Sequence, residues 1–328
     1  MKDIISVQNL VVVYPDGTRA VDDISFSVKE GEFFGFLGPN GAGKSTTIKT
    51  LTTLLRKTSG HVMVAGYDLD KAPKEIRRSI GVLTQETSID VDLTGWQNLH
   101  LQGRLQQLHG RLLDERIEEL LKLVQLEDVA KKPAGRYSGG MRKRLDLASA
   151  LIHKPKLLFL DEPTTGLDTQ SRTAIWEYLE SLNKKEGITI FLTTQYLEEA
   201  DRLCHELSII DLGKIMANGS PHELKEAVGG DTITLTLTDA SLRSKTKELL
   251  IAVQGVSKVM DSDDGVVAYA ENAGTMIAEI ITILDRNGIR PSFLSISSPT
   301  LDDVFLRETG RRIRPDELSR RETEPYLM

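Results

Sequence analysis

The sequence predicts an α/β protein with a parallel sheet at its core, followed by a second, smaller α+β domain. Three observations lead to this fold class. Short strand-like runs alternate with segments whose apolar residues recur at helical spacing. Two of the runs, Leu157–Leu160 and Ile188–Leu192, are continuously apolar, as is typical of strands buried on both faces of a parallel sheet. Near Gly229 the pattern restarts with a strictly alternating run, which indicates the second domain.

The elements of the first domain follow from local patterns. A run from Leu157 that ends in acid is one of several expected strands, and the segment 87–137 has helical patterns without a convincing strand. We interpret that segment as a helical insertion between core strands, within a first domain of residues 1–228. The remaining elements expected here are strands within Met1–Tyr14 and at Ile24–Val28, Phe33–Leu37 and Ser79–Leu83, and helices at Lys44–Leu55, Trp96–His109, Asp114–Leu126 and Ala174–Leu182.

The second domain is expected over residues 230–310. Its pattern has the order βαββαβ, which is that of a small ferredoxin-like domain. No catalytic constellation occurs in it, and we expect no metal at His222 or Glu223. Residues 311–328 are rich in Arg and Glu, contain Pro315 and Pro325, and are predicted to form a flexible tail. The elements expected are strands at Thr232–Thr238, Val256–Met260, Val266–Ala270 and Ser292–Ile296, and helices at Leu242–Val253 and Thr275–Asn287.

Composition limits the classes of function. The chain has 328 residues, 40% of them hydrophobic, which is enough for two packed domains. The net charge of −7 argues against nucleic acid as the main partner, because phosphate binding needs a basic surface. No run approaches the ~18 apolar residues of a membrane helix, and the N-terminus lacks a basic leader. We therefore expect a cytosolic chain, and the single cysteine, Cys204, fits a reducing compartment.

Residues 38–45 read G-P-N-G-A-G-K-S and match the phosphate-binding loop G-x-x-x-x-G-K-[ST]. Its glycines let the backbone N–H groups wrap around phosphate oxygens, and the following helix adds its positive N-terminal dipole. Lys44 would contact the β- and γ-phosphates, and the Ser45 hydroxyl would bind Mg²⁺. The nucleotide-binding residues expected here are Gly38, Pro39, Asn40, Gly41, Ala42, Gly43, Lys44, Ser45 and Thr46.

Two acids follow the buried run at Leu157–Leu160. A strand that ends in acid beside a phosphate loop places a carboxylate where Mg²⁺ needs one, so Asp161 is the expected metal residue. Glu162 comes directly after it and would act as general base on the attacking water. The loop upstream makes this interpretation specific, since four apolar residues and two acids alone are a weak signal.

Two further motifs carry a family resemblance. Residues 137–141 read Y-S-G-G-M, which resembles the ABC signature L-S-G-G-Q with departures at both ends. Residues 161–168 read D-E-P-T-T-G-L-D and are similar to the extended Walker B motif and D-loop of ABC ATPases. The resemblance covers roughly residues 4–225. It implies a P-loop NTPase fold with a RecA-like core, a β-subdomain and a helical insertion, and it implies ATP hydrolysis with Mg²⁺.

The resemblance also implies roles for residues outside the phosphate loop. Ser138, Gly139 and Gly140 would bind the γ-phosphate held by a second copy, so a head-to-tail homodimer with two ATPs at its interface is expected. Gln85 matches the Q-loop glutamine, which contacts Mg²⁺ and the water and links the core to the insertion. Tyr14 falls where an aromatic ring stacks on adenine.

One departure narrows the resemblance. Gln195 occupies the place of the switch histidine, within T-T-Q-Y-L-E-E-A-D at 193–201. An amide can donate to a phosphate but carries no titrating proton, so we expect modest turnover with little pH dependence from this position. This motif and P-T-L-D-D-V-F-L at 299–306 are similar to the ATPase subunits of daunorubicin/doxorubicin-resistance exporters. The alternative is that Gln195 is isolated drift in another ABC-2-type ATPase.

The resemblance implies an exporter subunit at the cytoplasmic face of the membrane, which couples ATP-driven dimer closure to a separate permease. The cargo would be drug-like, antibiotic-like or lipid. An importer ATPase and a non-transport regulatory ABC ATPase are the alternatives. Regulators of translation normally carry two cassettes, and DNA-repair relatives insert a long coiled coil for which 87–137 is too short. The C-terminal domain is expected to stabilise the dimer or tune its activity.

Overall fold

The computed structural model describes residues 2–270 and 273–311. The chain divides into two compact units, the first reaching Ser220 and the second beginning at Pro221. The helix at Pro221–Val228 therefore groups with the second unit, whereas the sequence pattern places it at the end of the first domain. Residues 312–328, which hold all but the first residue of the expected tail, lie outside the described part.

The first unit contains a six-stranded and a four-stranded sheet with helices around them. The sequence analysis assigns no element to its strands β4, β5, β9 and β10. Its strands are β1 (Asp3–Val13), β2 (Arg19–Lys29), β3 (Phe33–Leu37), β4 (Ser59–Val64), β5 (Tyr67–Asp68), β6 (Ile80–Leu83), β7 (Leu157–Asp161), β8 (Thr189–Thr194), β9 (Glu206–Asp211) and β10 (Lys214–Gly219). Its helices are α1 (Lys44–Leu51), α2 (Pro73–Ser79), α3 (Gly95–Leu105), α4 (Gly110–Leu123), α5 (Gly139–Ala150), α6 (Thr169–Glu186) and α7 (Leu197–Leu203).

The six-stranded sheet has the order β10-β9-β3-β8-β7-β6 and is parallel except for β10. The register pairs Leu37 with Thr194 and Asp161 with Thr193. The carboxyl ends of β3, β8 and β7 therefore lie side by side. Ligands of open α/β sheets bind at this edge, so the register already locates the site.

The four-stranded sheet, β2-β1-β4-β5, is antiparallel and shares its core with the six-stranded sheet. Phe26 of β2 lies 5.6 Å from Phe34, 5.5 Å from Phe36 and 6.0 Å from Phe191 between ring centroids. Aromatic pairs at such distances add to the apolar area that they bury. This aromatic cluster packs β2 against β3 and β8, the strands whose carboxyl ends form part of the edge described above.

The helical insertion lies between β6 and β7. Residues 84–156 are all described and hold α3, α4 and α5 with short 3₁₀ turns at Glu127–Val129 and Ala134–Arg136, but no named strand. Thr94 caps α3 through a capping box with Gln97. The helix predicted over Lys44–Leu55 is too long by one turn, because α1 ends at Leu51 and Thr53 adopts a φ of 66°.

The second unit has the ferredoxin-like order that the sequence predicts. Its antiparallel sheet runs β12-β13-β11-β14, with the first strand of the unit between the third and the fourth. Its elements are α8 (Pro221–Val228), β11 (Asp231–Thr236), α9 (Arg243–Ile251), β12 (Val256–Ser262), β13 (Gly265–Ala270), α10 (Ala273–Arg286), β14 (Phe293–Ser297) and α11 (Leu301–Thr309). In the described ranges of both units, no helix combines the length and the apolar character that a membrane span needs.

Candidate nucleotide-binding site

The loop between β3 and α1 contains backbone conformations that favour glycine. Gly41 and Gly43 have φ values of 79° and 105°, which L side chains rarely adopt. A Cβ at Gly43 would also lie 2.4 Å from the carbonyl oxygen of Ala20, and one at Gly38 would lie 2.3 Å from that of Ile210. Close approach of neighbouring backbone therefore requires glycine at 38 and 43, and the positive φ favours it at 41 and 43.

Lys44 is buried and bridges this loop to the end of β7. Its Nζ donates to the carbonyl oxygens of Gly38 at 2.8 Å and Pro39 at 3.0 Å. It also forms an ion pair with Glu162, with 3.1 Å between Nζ and Oε1. Burial lowers the pKa of Lys44, and the carboxylate of Glu162 acts in the opposite direction. The site thus contains a buried cation held beside a buried carboxylate.

Asp161 accepts two hydroxyl hydrogen bonds on one oxygen. Ser45 Oγ lies 3.2 Å from Asp161 Oδ1, and Thr193 Oγ1 donates to the same atom at 2.6 Å. A carboxylate beside a serine hydroxyl is a set of hard oxygen donors, which suits Mg²⁺. Among the described residues, no group of three or more His, Cys, Asp or Glu is arranged to hold a metal by itself. A Mg²⁺ ion here would therefore rely on phosphate oxygens for part of its coordination.

Glu162 is held in an unusual backbone conformation. Its φ is 47°, in the left-handed region, and its N–H donates to the carbonyl and hydroxyl oxygens of Thr193 at 3.1 and 3.2 Å. Thr165 Oγ1 donates to Glu162 Oε2 at 3.2 Å. Non-glycine residues remain in this region only where their surroundings fix them. The carboxylate is therefore presented from a fixed position at the end of β7.

Gln195 is buried and contacts the phosphate loop directly. Asn40 Nδ2 donates to Gln195 Oε1 at 3.1 Å, and the N–H of Gly38 donates to the carbonyl of Thr194 at 3.2 Å. The carboxyl end of β8 is thus joined to the loop by a side-chain and a backbone hydrogen bond. The Gln195 amide therefore lies beside the loop, and its contact with the terminal phosphate stays a prediction.

Tyr14 lies next to the first turn of α1. Its hydroxyl is 3.1 Å from Thr46 Oγ1, and the ring is partly buried. The structure therefore brings Tyr14 to the edge of the phosphate loop. Stacking of the ring on adenine stays a prediction.

The signature residues lie apart from the loop. Ser138 is the N-cap of α5, where its Oγ accepts from the N–H of Met141 at 3.2 Å, and Ser138 and Gly139 are exposed. A Cβ at Gly140 would lie 2.8 Å from Ser171 Oγ at the start of α6. Within the described chain, no hydrogen bond joins Ser138, Gly139 or Gly140 to residues 38–46. The helix N-terminus is presented to the outside of the chain.

Gln85 is also separate from the buried acids. It is exposed and follows the last residue of β6, Leu83, after one intervening residue. Among the described residues, no hydrogen bond joins it to Asp161 or Ser45. Its proposed contact with the metal and the water therefore stays a prediction.

Sequence reasoning misses two groups of polar residues. Thr193 donates a hydrogen bond to Asp161. The sequence signal that could have indicated it is a pair of threonines at the end of a buried strand. Glu199 is buried, and its Oε1 accepts from Thr164 Oγ1 and Trp176 Nε1, both at 2.8 Å. Burial raises the pKa of Glu199. No local pattern indicates Glu199, because its partners come from two distant segments.

Comparisons with known proteins agree with this geometry. The family model described as "ABC transporter" matches residues 21–165, and "ATP-binding protein DrrA1-3-like, C-terminal domain" matches residues 219–309. A daunorubicin resistance ATP-binding protein of Streptomyces coeruleorubidus is 42% identical, over 91% of this chain and 93% of the relative. A daunorubicin/doxorubicin resistance ATP-binding protein of Streptomyces peucetius is 42% identical, over 93% and 92% of the two chains. A dimeric ATP-binding cassette solved in a post-hydrolysis state with ADP and Pi has a TM-score of 0.60 at 26% identity, over 66% of this chain and 98% of that one.

Proposed function

Because the chain belongs to the ATP-binding, ATP-hydrolysing proteins of the ABC transporter family, we propose that it drives an exporter whose membrane-spanning part is a separate protein. One observation carries the proposal. Lys44, Asp161 and Glu162 converge at the carboxyl edge of the parallel sheet, where a phosphate loop, a metal carboxylate and a general base are needed together.

Lys44 and the loop bind the triphosphate. The carbonyls of Gly38 and Pro39 now accept from Lys44 Nζ, and phosphate oxygens are stronger acceptors that replace them. Ser45 and Asp161 hold Mg²⁺, which supplies charge neutralisation on the phosphates when it is bound. The backbone N–H groups after Gly41 and Gly43 orient the nucleotide. Tyr14 stacks on the adenine from the side of Thr46.

Glu162 is the general base. Its Oε1 pairs with Lys44, so the base becomes available when Lys44 turns to the phosphate. Glu162 then orients the attacking water and accepts its proton. The bonds from its N–H to Thr193 keep the carboxylate in place during this exchange. Gln195 donates from its amide to the γ-phosphate without taking a proton.

The site is completed by a second copy of the chain. At the N-terminus of α5, Ser138 and Gly139 are exposed and Gly140 is partly buried, and the helix offers its dipole and N–H groups to an anion. A solved cassette with 26% identity is dimeric. These observations support a head-to-tail homodimer with an ATP between the loop of one copy and α5 of the other.

The helical insertion transmits closure to the permease. Leu101 and Leu105, which share one face of α3, and Leu112 on α4 are 49, 69 and 75% exposed. Grouped exposed apolar side chains mark interaction sites. Gln85 directly precedes this insertion in the chain, and its proposed contact with the metal and the attacking water would link the site to the insertion. Closure of the dimer brings both insertions together. The movement is transmitted to the membrane protein that covers these leucines. We therefore propose that the chain lies at the cytoplasmic face of the membrane through its partner.

The direction of transport and the cargo are proposed from the relatives. The relatives from Streptomyces are named for resistance to daunorubicin and doxorubicin, which favours export of drug-like or antibiotic-like molecules. Other relatives are named for Nod factor export and linearmycin resistance. These names favour an exporter over the importer that the sequence leaves open. The second unit is proposed to stabilise the dimer or tune its rate.

Isothermal titration calorimetry of Glu162→Gln with ATP, in Mg²⁺ and in EDTA, tests the nucleotide site. We expect binding that is tightened by Mg²⁺ in this background and loses that dependence when Asp161→Asn is added. The exposed insertion carboxylate Asp92→Asn is the matched control and should leave the dependence intact. Binding without any effect of Mg²⁺, or the same effect with Asp161→Asn, would refute the assignment.

A further inference from the structure

The segment that carries Gln85 is held at both ends by one helix. Lys143 Nζ on α5 donates to the carbonyl oxygen of Thr84 at 3.2 Å. Asp146 Oδ1, on the same helix, accepts from Ser88 Oγ at 2.5 Å and from the Ser88 N–H at 3.4 Å. Gln85 lies between these two anchors. Its position therefore depends on a helix from which it is separated by more than fifty residues in sequence.

The two anchors form a local unit. Lys143 and Asp146 are three residues apart, so they share one face of α5. Asp146 is only 4% exposed, and a buried carboxylate is costly unless it is hydrogen-bonded or near a cation. Burial lowers the pKa of Lys143, whereas the nearby Asp146 and Asp161 raise it. Lys143 therefore interacts electrostatically with Asp146, which anchors Ser88, and with Asp161 of the nucleotide site.

The same helix is bound to the far side of the insertion. Arg144 Nη1 donates to the carbonyl oxygen of Val124 at the end of α4, at 2.9 Å. Arg116 Nη2, on α4, donates to the carbonyl of Leu151 at 2.8 Å. Because α5 begins at Ser138, the helix joins the outward-facing signature to both the Gln85 segment and α4.

We infer that Lys143 and Asp146 are positioning residues, which hold the segment that carries Gln85 and make residues 84–88 follow any displacement of α5. The inference rests on the role proposed for Gln85 in hydrolysis. When the N-terminus of α5 meets the nucleotide of the second copy, the anchors carry its movement to Gln85 and to the start of the insertion. The hydrogen bonds of both anchors go to Thr84 and Ser88, on either side of Gln85, and not to the phosphate loop, so both are assigned an action through Gln85.

The test combines steady-state kinetics with a double-mutant cycle on the full chain. Asp146→Ala and Lys143→Met are each made alone and with Gln85→Ala, and kcat and KM for Mg-ATP are measured. We expect each anchor variant to lower kcat about 10-fold, as loss of an outer-shell partner typically does, with KM little changed. In the Gln85→Ala background the anchor variants should add nothing, because residues that act as one unit are not additive.

Matched variants separate anchoring from general damage. Asp146→Asn keeps an acceptor for Ser88 and should restore most of the rate. Ser88→Ala, at an exposed residue, should reproduce part of the loss if Asp146→Ala folds poorly. Lys131→Met, at an exposed lysine of the insertion, controls for Lys143→Met and should leave kcat unchanged. Hydrogen exchange of the amides of residues 84–88 should quicken in the anchor variants and not in this control.

The outcomes distinguish the inference from the function on which it rests. Anchor variants with a wild-type kcat, or losses that multiply with that of Gln85→Ala, would overturn the anchoring role alone. A Gln85→Ala chain with wild-type turnover would overturn the role of Gln85 and the anchors together. Loss of turnover in Lys44→Ala is independent of both results and reports on the nucleotide site.

Discussion

The phosphate loop and the signature are the two halves of one nucleotide site, and they differ in how the chain surrounds them. At the loop, Lys44, Asp161 and Glu162 are buried and partnered within the chain. At the signature, Ser138 and Gly139 are exposed, and Ser138 is used only to cap α5. One half is therefore complete by itself, whereas the other presents its donors outward.

This difference indicates at which step each half contributes binding free energy. The buried half is preorganised, so binding there costs little rearrangement beyond the exchange of partners at Lys44. The exposed half contributes only after a second chain supplies a phosphate. ATP bound at the first half can thus favour dimer closure, because the second half makes its contacts only in the closed state.

The largest effect is expected for Glu162→Gln, in the buried half. The amide keeps the size of the side chain but cannot accept the proton of water, so kcat should fall about 10²- to 10⁴-fold. ATP affinity should be kept or improved, since the competing ion pair with Lys44 is lost. Phosphate release measures the rate, with exposed Glu177→Gln on α6 as the control. A variant with near-normal turnover would mean that Glu162 is not the base.

Lys44→Ala should be the next most severe change. Removal of this cation takes away the charge that holds the terminal phosphates, and kcat/KM should fall about 10²- to 10³-fold. Exposed Lys49→Ala on the same helix is the matched control and should turn over ATP normally. Binding of ATP that is unchanged in Lys44→Ala would break the assignment of the loop as the self-contained half.

A smaller effect concerns the pH dependence at the end of β8. Gln195 carries no titrating proton, so the kcat profile of the wild type should lack an inflection near pH ~6.5 from this position. Gln195→His should introduce such an inflection and alter the rate a few-fold, because the imidazole replaces the amide that Asn40 now contacts. A wild-type profile that falls steeply near that pH, with the fall lost in Gln195→Ala, would contradict the account.

The smallest effect is on stability. Burial raises the pKa of Glu199, so the folded chain binds this proton more tightly than the unfolded chain does. The contribution of Glu199 to stability is therefore full at low pH and is lost as the pH rises through the raised pKa. Glu199→Gln keeps the acceptor for Thr164 and Trp176 but lacks this dependence. Its melting temperature relative to the wild type should rise by about 2–4 °C from acid to neutral pH. Exposed Glu198→Gln should show no such trend.

The sequence predicts the buried half of the site better than it predicts the side-chain hydrogen bonds around that half. The glycines at 38, 41 and 43 and the acids after Leu157–Leu160 are local signals, since each is required by the backbone or strand that it occupies. The fold class and the ferredoxin-like second unit also follow from local periodicity. Partners such as Glu199 with Thr164, or Asp146 with Ser88, are brought together only by the tertiary fold, so no spacing reveals them. The predicted end of α1 at Leu55 is wrong for a different reason, because propensity alone does not show the turn at Thr53.

The central claim is that one ATP is held between the loop of one copy and α5 of another, and the mass of Glu162→Gln in solution tests it most directly. With Mg-ATP, light scattering after size exclusion should give twice the mass of the chain, and without nucleotide the mass of one chain. Adding Ser138→Asp, which keeps the helix cap but sets a negative charge against the phosphate, should abolish the dimer, whereas Ser138→Asn should retain it. A Glu162→Gln chain that stays monomeric in Mg-ATP, or one that dimerises equally well with Ser138→Asp, would contradict the account.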